Sequence, residues 1–253
     1  MHFIDTHAHI YLPEFDADRD RVVQQALEKG VQRILMPAID TATHPLMLAA
    51  EAQWPGCTAM MGLHPCSVND TYKRELEVVE TYLKERKFIA IGEIGLDFYW
   101  STSFNQQQYA VFETQIRWAL QYDLPVVIHS RNAIDACIEV LSDQPGIRGV
   151  FHCFTGTRAQ AERITALGFY LGIGGVVTYK NAGVDAVIAS VGLEAVVLET
   201  DAPYLAPVPY RGKQNESSYL PLVAEKLALV TGCSIEEVAA ITTQNAGKLF
   251  KLS

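Results

Sequence analysis

Phe3-Ile4-Asp5-Thr6-His7-Ala8-His9 places two histidines, two residues apart, directly after the first apolar run of the chain. A doubly wound open sheet usually carries a G-x-G-x-x-G nucleotide fingerprint at that point. The glycines of Gly172-Ile173-Gly174-Gly175 come late and have the wrong spacing for that fingerprint or for a P-loop. Outward from this stretch, short apolar or β-branched runs alternate with amphipathic segments to the end of the chain, the pattern of repeated βα units around a parallel sheet. Eight runs are strand candidates, at 3–5, 31–36, 58–63, 88–93, 125–129, 149–152, 169–173 and 195–199, each followed by a polar or glycine-rich turn. Eight such units, with histidines where a nucleotide fold has glycines, predict an α/β protein built as a single-domain (β/α)8 TIM barrel over 1–253.

Between the runs, Phe104, Gln108, Val111, Phe112, Ile116, Ala119 and Leu120 follow three-and-four spacing and predict a helix over 103–122, which Pro125 keeps from continuing. Residues 204–217 are rich in proline and polar side chains, and two closing helices are expected at 218–231 and 234–248.

The chain has 253 residues, enough for one barrel with its own core, and 49% apolar with 19% charged residues is the composition of a globular protein. No apolar run approaches a membrane span, and Met1 to Asp5 shows no leader pattern, so a cytoplasmic protein with no membrane partner is expected. Five cysteines, widely spaced and without C-x-x-C, indicate neither a disulfide framework nor a zinc ribbon. A formal charge of −9 argues against a broad electropositive surface for nucleic acid. If the substrate carries phosphates, metal ions must supply the local positive charge.

Of seven histidines, His7, His9, His64, His129 and His152 fall at or just past the C-terminal ends of expected strands. A barrel gathers those ends around one mouth, where its active sites lie. On an extended segment His7 and His9 point to the same side and can grip one ion. Asp5, on the same parity, is either an orienting partner for a histidine or a structural acceptor. Glu93, in Ile91-Gly92-Glu93-Ile94-Gly95-Leu96-Asp97, is a carboxylate inside an apolar strand and needs a partner, an arginine or metal. Two carboxylate oxygens suit bridging of two ions. His129 and His152 each end a buried-strand pattern, and Asp201 stands at the mouth of the eighth strand, where capping the next turn is its ordinary alternative. No G-x-S-x-G elbow is present, and no cysteine has an evident base.

Asp5-Thr6-His7-Ala8-His9, Gly62-Leu63-His64-Pro65, Gly92-Glu93-Ile94-Gly95-Leu96-Asp97, Ile128-His129-Ser130-Arg131, His152-Cys153-Phe154-Thr155-Gly156 and Glu199-Thr200-Asp201-Ala202-Pro203 together resemble the TatD family of metal-dependent deoxyribonucleases. The resemblance covers nearly the whole chain, in order. It implies two divalent metal ions (Mg2+, Zn2+ or Mn2+), with His7, His9 and Asp201 on one, His129 and His152 on the other, and Glu93 bridging. It also implies hydrolysis of DNA phosphodiester bonds, commonly from a single-stranded 3′ end, with Asp201 and Glu93 as catalytic residues and Asp201 accepting the proton of a metal-activated water. His64, Arg211 and Asn215 resemble positions near substrate. A monomer is expected. Where the family continues Asn-Glu-Pro this chain reads Asn215-Glu216-Ser217, which predicts a looser loop. The same framework admits an amide, ester or lactone hydrolase, and a non-catalytic metal-binding scaffold is the alternative of another class.

Overall fold

The apolar runs pair side by side in the computed structural model, which describes residues 1–252. Among the described residues the strands are β1 (Phe3–Asp5), β2 (Val31–Met36), β3 (Cys57–Ala59), β4 (Ile91–Asp97), β5 (Val126–Arg131), β6 (Gly149–Phe151), β7 (Tyr170–Ile173) and β8 (Val196–Leu198). The intervening and closing helices are α1 (Arg19–Glu28), α2 (His44–Gln53), α3 (Tyr72–Glu85), α4 (Asn105–Tyr122), α5 (Ile134–Ser142), α6 (Arg158–Ala166), α7 (Val184–Val191), α8 (Leu220–Thr231) and α9 (Ile235–Phe250). Thr157 with Gln160 and Ser234 with Glu237 form capping boxes that start α6 and α9.

All strand pairs are parallel, in the orders β1-β2-β3 and β4-β5-β6-β7-β8. Two seams join these arcs into the expected barrel. Met61 pairs with Ile91, where Gly92 N–H donates to Met61 O at 3.1 Å, and Ala8 pairs with Ala202, where His9 N–H donates to Ala202 O at 2.7 Å.

The third and fourth strands depart from their expected bounds. β3 ends at Ala59 because the chain beyond it turns toward the mouth, where the Gln115 amide holds both backbone groups of Leu63, at 2.7 and 3.1 Å. β4 runs on through Asp97, and its register against β5 shifts between Ile91 and Ile94. There Glu93 N–H donates to Ala38 O at 3.1 Å and Ala38 N–H donates to Gly92 O at 2.9 Å, so β4 pairs briefly with the chain beyond β2. Gly95 permits the return to β5: its φ is +136°, and a Cβ there would lie 2.1 Å from His129 O.

One inward layer takes a residue from seven strand paths, Ile4, Leu35, Met60, Ala90, Val127, Val150 and Val197, with Tyr170 of β7 packed against it. Leu249 and Phe250 of α9 join the same cluster and plug the N-terminal end of the barrel. The interior is thus filled from below, and polar side chains remain for the opposite end. No described helix is long and apolar enough to cross a membrane.

Candidate metal centre

At the C-terminal mouth the structure brings His7, His9, Glu93, His129, His152 and Asp201 together. His7 Nε2 lies 3.3 Å from His9 Nε2, 3.2 Å from Glu93 Oε2 and 3.6 Å from Asp201 Oδ1. His9 Nε2 lies 3.7 Å from each of the same two carboxylate oxygens. The other oxygen, Glu93 Oε1, faces His129 Nδ1 at 2.7 Å, His152 Nε2 at 3.0 Å and His64 Nε2 at 3.4 Å. Glu93 therefore presents one oxygen to each of two groups of imidazoles.

The strand geometry explains the convergence. His7 and His9 share a side by the two-residue period of extended chain. Asp201 has φ +57°, a left-handed conformation that turns its carboxyl into the mouth just beyond β8. The ring of His7 stacks on that of His152, with centroids 3.8 Å apart.

Proton positions follow from the partners. Tyr11 O–H donates to Pro37 O at 2.7 Å, so its oxygen is left to accept from His9 Nδ1 at 3.0 Å. That fixes the proton of His9 on Nδ1 and leaves Nε2 bare. Asp97 Oδ2, 2.7 Å from His129 Nε2, likewise leaves Nδ1 of that ring free toward Glu93. Glu199 Oε1 stands 3.3 Å from His152 Nδ1 and also accepts from Cys153 N–H. Gly172 makes room for it, because a Cβ there would lie 2.3 Å from Glu199 Oε2. His64 has the opposite tautomer. Its Nδ1 accepts from Cys66 N–H at 3.0 Å, so Nε2 carries the proton and acts as a donor, not a ligand atom.

Electrostatics reinforce the pattern. Burial by itself would raise Glu93, but His152, His64 and His7 outweigh it and hold the carboxyl well below its ordinary range. Burial opposes charge on His152, yet Glu93 and Glu199 outweigh burial and raise it well above the usual imidazole value. Burial, with His152 beside it, pushes His7 down to about 4. Asp201 is pushed up to about 7, first by burial, with Glu93 and Glu199 adding to the effect against His152. Burial likewise lowers His64 and keeps its ring neutral.

The remaining expected site residues lie elsewhere. Asn215 is fully buried, with its amide donating to Thr200 O and Tyr204 O, both at 2.7 Å, and its side-chain oxygen accepting from Glu216 N–H. It anchors the loop and is not exposed to a substrate, which corrects the sequence expectation. The same bonds, with the Arg21–Glu216 ion pair at 2.9 Å, hold this segment without the family's proline, so the expected loosening does not follow. Arg211 is exposed and stacks on Tyr179, 4.4 Å from the ring centre. Asp5 is the structural acceptor of the two roles open to it: it accepts from His7 N–H, Thr200 N–H and Thr200 O–H and touches no imidazole nitrogen.

A barrel whose strand ends gather four imidazoles and two carboxylates is the framework of a metal-dependent hydrolase. Residues 4–251 match the family described as TatD related DNase, and the protein belongs to that family. It is 35% identical to the metal-dependent hydrolase YabD of Bacillus subtilis, over 98% of this chain and 99% of that protein. Identity to the 3′-5′ ssDNA/RNA exonuclease TatD of Erwinia tasmaniensis is 32%, over 94% of this chain and 96% of that one. The crystal structure of YjjV, a TatD homologue from Escherichia coli, superposes with a TM-score of 0.93 at 33% identity, covering 99% of this chain and 98% of its own.

Proposed function

We propose that the protein is a 3′-to-5′ exonuclease of single-stranded DNA that works with two divalent metal ions. The observation that carries this reading is the division of Glu93, one oxygen toward His7 and His9, the other toward His129 and His152. The name borne by the Erwinia relative supports the substrate.

The donor set fits two cations. His9 Nε2 is a bare acceptor that faces Glu93 Oε2 and Asp201 Oδ1, an arrangement of lone pairs that a cation would satisfy. A tetrahedral ion with ligands at ~2.1 Å keeps those ligands ~3.4 Å apart. The separations of His7 and His9 from each other, from Glu93 Oε2 and from Asp201 Oδ1 run from 3.2 to 3.7 Å. His7, His9 and Asp201 would hold one ion, His129 and His152 the other, and Glu93 would bridge them. Four imidazoles favour Zn2+ or Mn2+ over Mg2+. Bound there, the ions would supply stabilisation of phosphate charge and acidify a water molecule.

The chain's own groups do the rest. Asp201, whose Oδ1 faces His7 and His9 at the mouth, is the carboxylate placed to take a proton from an attacking water. His64 Nε2–H donates to a phosphate oxygen or to the departing sugar oxygen. Tyr11 and Asp97 keep His9 and His129 in the tautomers that leave their inward nitrogens free, and Glu199 sets its charge beside His152 Nδ1. On this reading the protein acts as a monomer, on strand ends, in the cytoplasm.

The test is nucleotide release from a 5′-labelled single-stranded oligonucleotide, alongside duplex DNA, RNA and a panel of amides and lactones, with the metal varied. Stepwise shortening from the 3′ end is the expected result. Preference for the amide and lactone panel under the same metal would overturn the assignment.

A further inference from the structure

Two large aromatic side chains beside the centre have no part in it. Tyr99 and Trp100 lie just past β4, after Phe98, and are 53% and 69% exposed, with rings edge to face and centroids 5.0 Å apart. Arg131, at the end of β5, lays its guanidinium 3.8 Å from the Tyr99 ring centre and 5.2 Å from that of Trp100. Leaving a tryptophan and a tyrosine in water is unfavourable for folding, since together they expose apolar area that burial would stabilise. Their backbone is nonetheless held in place: Asp97 Oδ1 accepts from Tyr99 N–H at 2.9 Å and from Trp100 N–H at 3.1 Å, while Oδ2 of the same carboxylate meets His129. One side chain thus ties the aromatic pair to the metal centre. Beside Tyr99 and Arg131 opens a groove of about 680 Å3, bordered also by Asn132, Thr155 and Thr157, with Trp100 flanking Tyr99 outside it.

We infer that Tyr99, Trp100 and Arg131 form a stacking platform for the bases of a single-stranded nucleic acid whose scissile end enters the metal centre; this rests on the nuclease reading above. A flat π surface with an attached guanidinium takes unpaired bases of any identity, because every base offers a π face. Duplex DNA keeps its faces stacked inside and cannot use such a surface without unwinding. The charge of −9 points the same way: a chain that repels phosphate overall must draw affinity from stacking and from its ions, not from a basic groove. The hydroxyl of Thr155 and the amide of Asn132 then offer neutral donors to the sugar-phosphate chain lying in the groove.

The experiment compares wild type, Trp100→Ala and Trp100→Phe in the metal-loaded state, with metal content measured for each. Two substrates are used, a ten-nucleotide oligothymidylate and methyl p-nitrophenyl phosphate, a diester without a base. Trp100→Ala should lose roughly ten- to a hundredfold in kcat/KM on the oligonucleotide, mainly through KM, the scale of one lost base–aromatic contact. Its rate on the small diester and its metal content should stay at the wild-type level, and Trp100→Phe should recover most of the loss. Equal oligonucleotide kinetics for wild type and Trp100→Ala overturn the platform and leave the nuclease reading standing. A matching loss on both substrates also overturns it, since that pattern belongs to a disturbed metal centre. Wild-type turnover of the small diester without any release of nucleotides sinks the nuclease reading itself.

Discussion

Asp97→Asn is the substitution that most directly separates the two halves of the centre. The Asp97 carboxylate is 2.7 Å from His129 Nε2, and that ring presents its other nitrogen, Nδ1, 2.7 Å from Glu93 Oε1. An asparagine keeps the Oδ1 acceptor for the Tyr99 and Trp100 amides, at 2.9 and 3.1 Å in the native chain, so the local backbone is preserved. Its NH2 group, however, now opposes the Nε2–H of His129. Two donors cannot face each other at that distance, so the imidazole proton moves to Nδ1 and occupies the nitrogen an ion would take. A hydrogen bond to a charged group is worth about 1.5–3 kcal/mol, which corresponds to about 10- to 150-fold, and loss of such orienting partners typically costs about 10–100-fold in metal affinity. An ion held by His7, His9 and Asp201 would have no contact with Asp97 and should be bound within a few-fold of its native strength. Titration of chelator-stripped protein with Mn2+ by calorimetry should therefore show one unchanged and one weakened step, and activity should return at a correspondingly higher metal concentration. Equal weakening of both steps, or none, would refute the tautomer argument.

Three further outcomes follow from the same geometry. Asn215→Ala should lower stability by about 1–3 kcal/mol, the cost of leaving buried carbonyls unpaired, and thereby lower Tm without raising KM; a raised KM at unchanged Tm would restore Asn215 as a substrate contact. His64→Ala should retain full metal content while kcat falls by roughly 10²–10³, the range for loss of a positioned hydrogen-bond donor to developing charge; an emptied site would mean that His64 is a ligand. Because the glutamates beside His152 raise its imidazole well above the usual value, burial notwithstanding, it carries a proton at pH 7 until an ion displaces it. Metal binding near neutral pH should then release protons, seen as a dependence of the calorimetric heat on buffer ionisation enthalpy, and the release should shrink as pH rises through the His152 titration; heats independent of buffer contradict this.

Much of the barrel was readable because each strand needs only a short apolar run and a turn, and those recur in order from Phe3 to Leu198. The ends of β3 and β4 were not, since the register shift at Gly92 and Glu93 depends on Ala38, more than fifty residues earlier, and no local pattern announces it. The same division runs through the centre. Residues with a lone pair to offer at a strand end are conspicuous, and a barrel requires such ends to meet, so the six expected ligands converge. Asn215 was misread for the converse reason: a polar side chain in a loop suggests solvent or substrate, whereas its partners are carbonyls of Thr200 and Tyr204 that fold back over it.

The orienting layer of Tyr11, Asp97 and Glu199 passed unnoticed, although a signal for it exists. Tyr11 is two residues beyond His9, Asp97 four beyond Glu93 and Glu199 two before Asp201. In extended chain each of these intervals places both side chains on one face, so a polar residue that shares parity with an expected ligand is directed to the same mouth. Asp201 departs from regular extended geometry at φ +57°, which shows why the interval narrows the choice without deciding it. What the interval leaves open is the partner: Tyr11 orients the neighbouring imidazole on its own segment, whereas Asp97 serves His129 on β5 and Glu199 serves His152 at the end of β6. Which ring each group serves depends on which strands the barrel sets side by side, and for β4 that adjacency is possible because Gly95 lets the chain close upon His129. A ligand is written in one residue's chemistry, while its tautomer is written in the packing of two strands, and the second becomes legible only once the register is known.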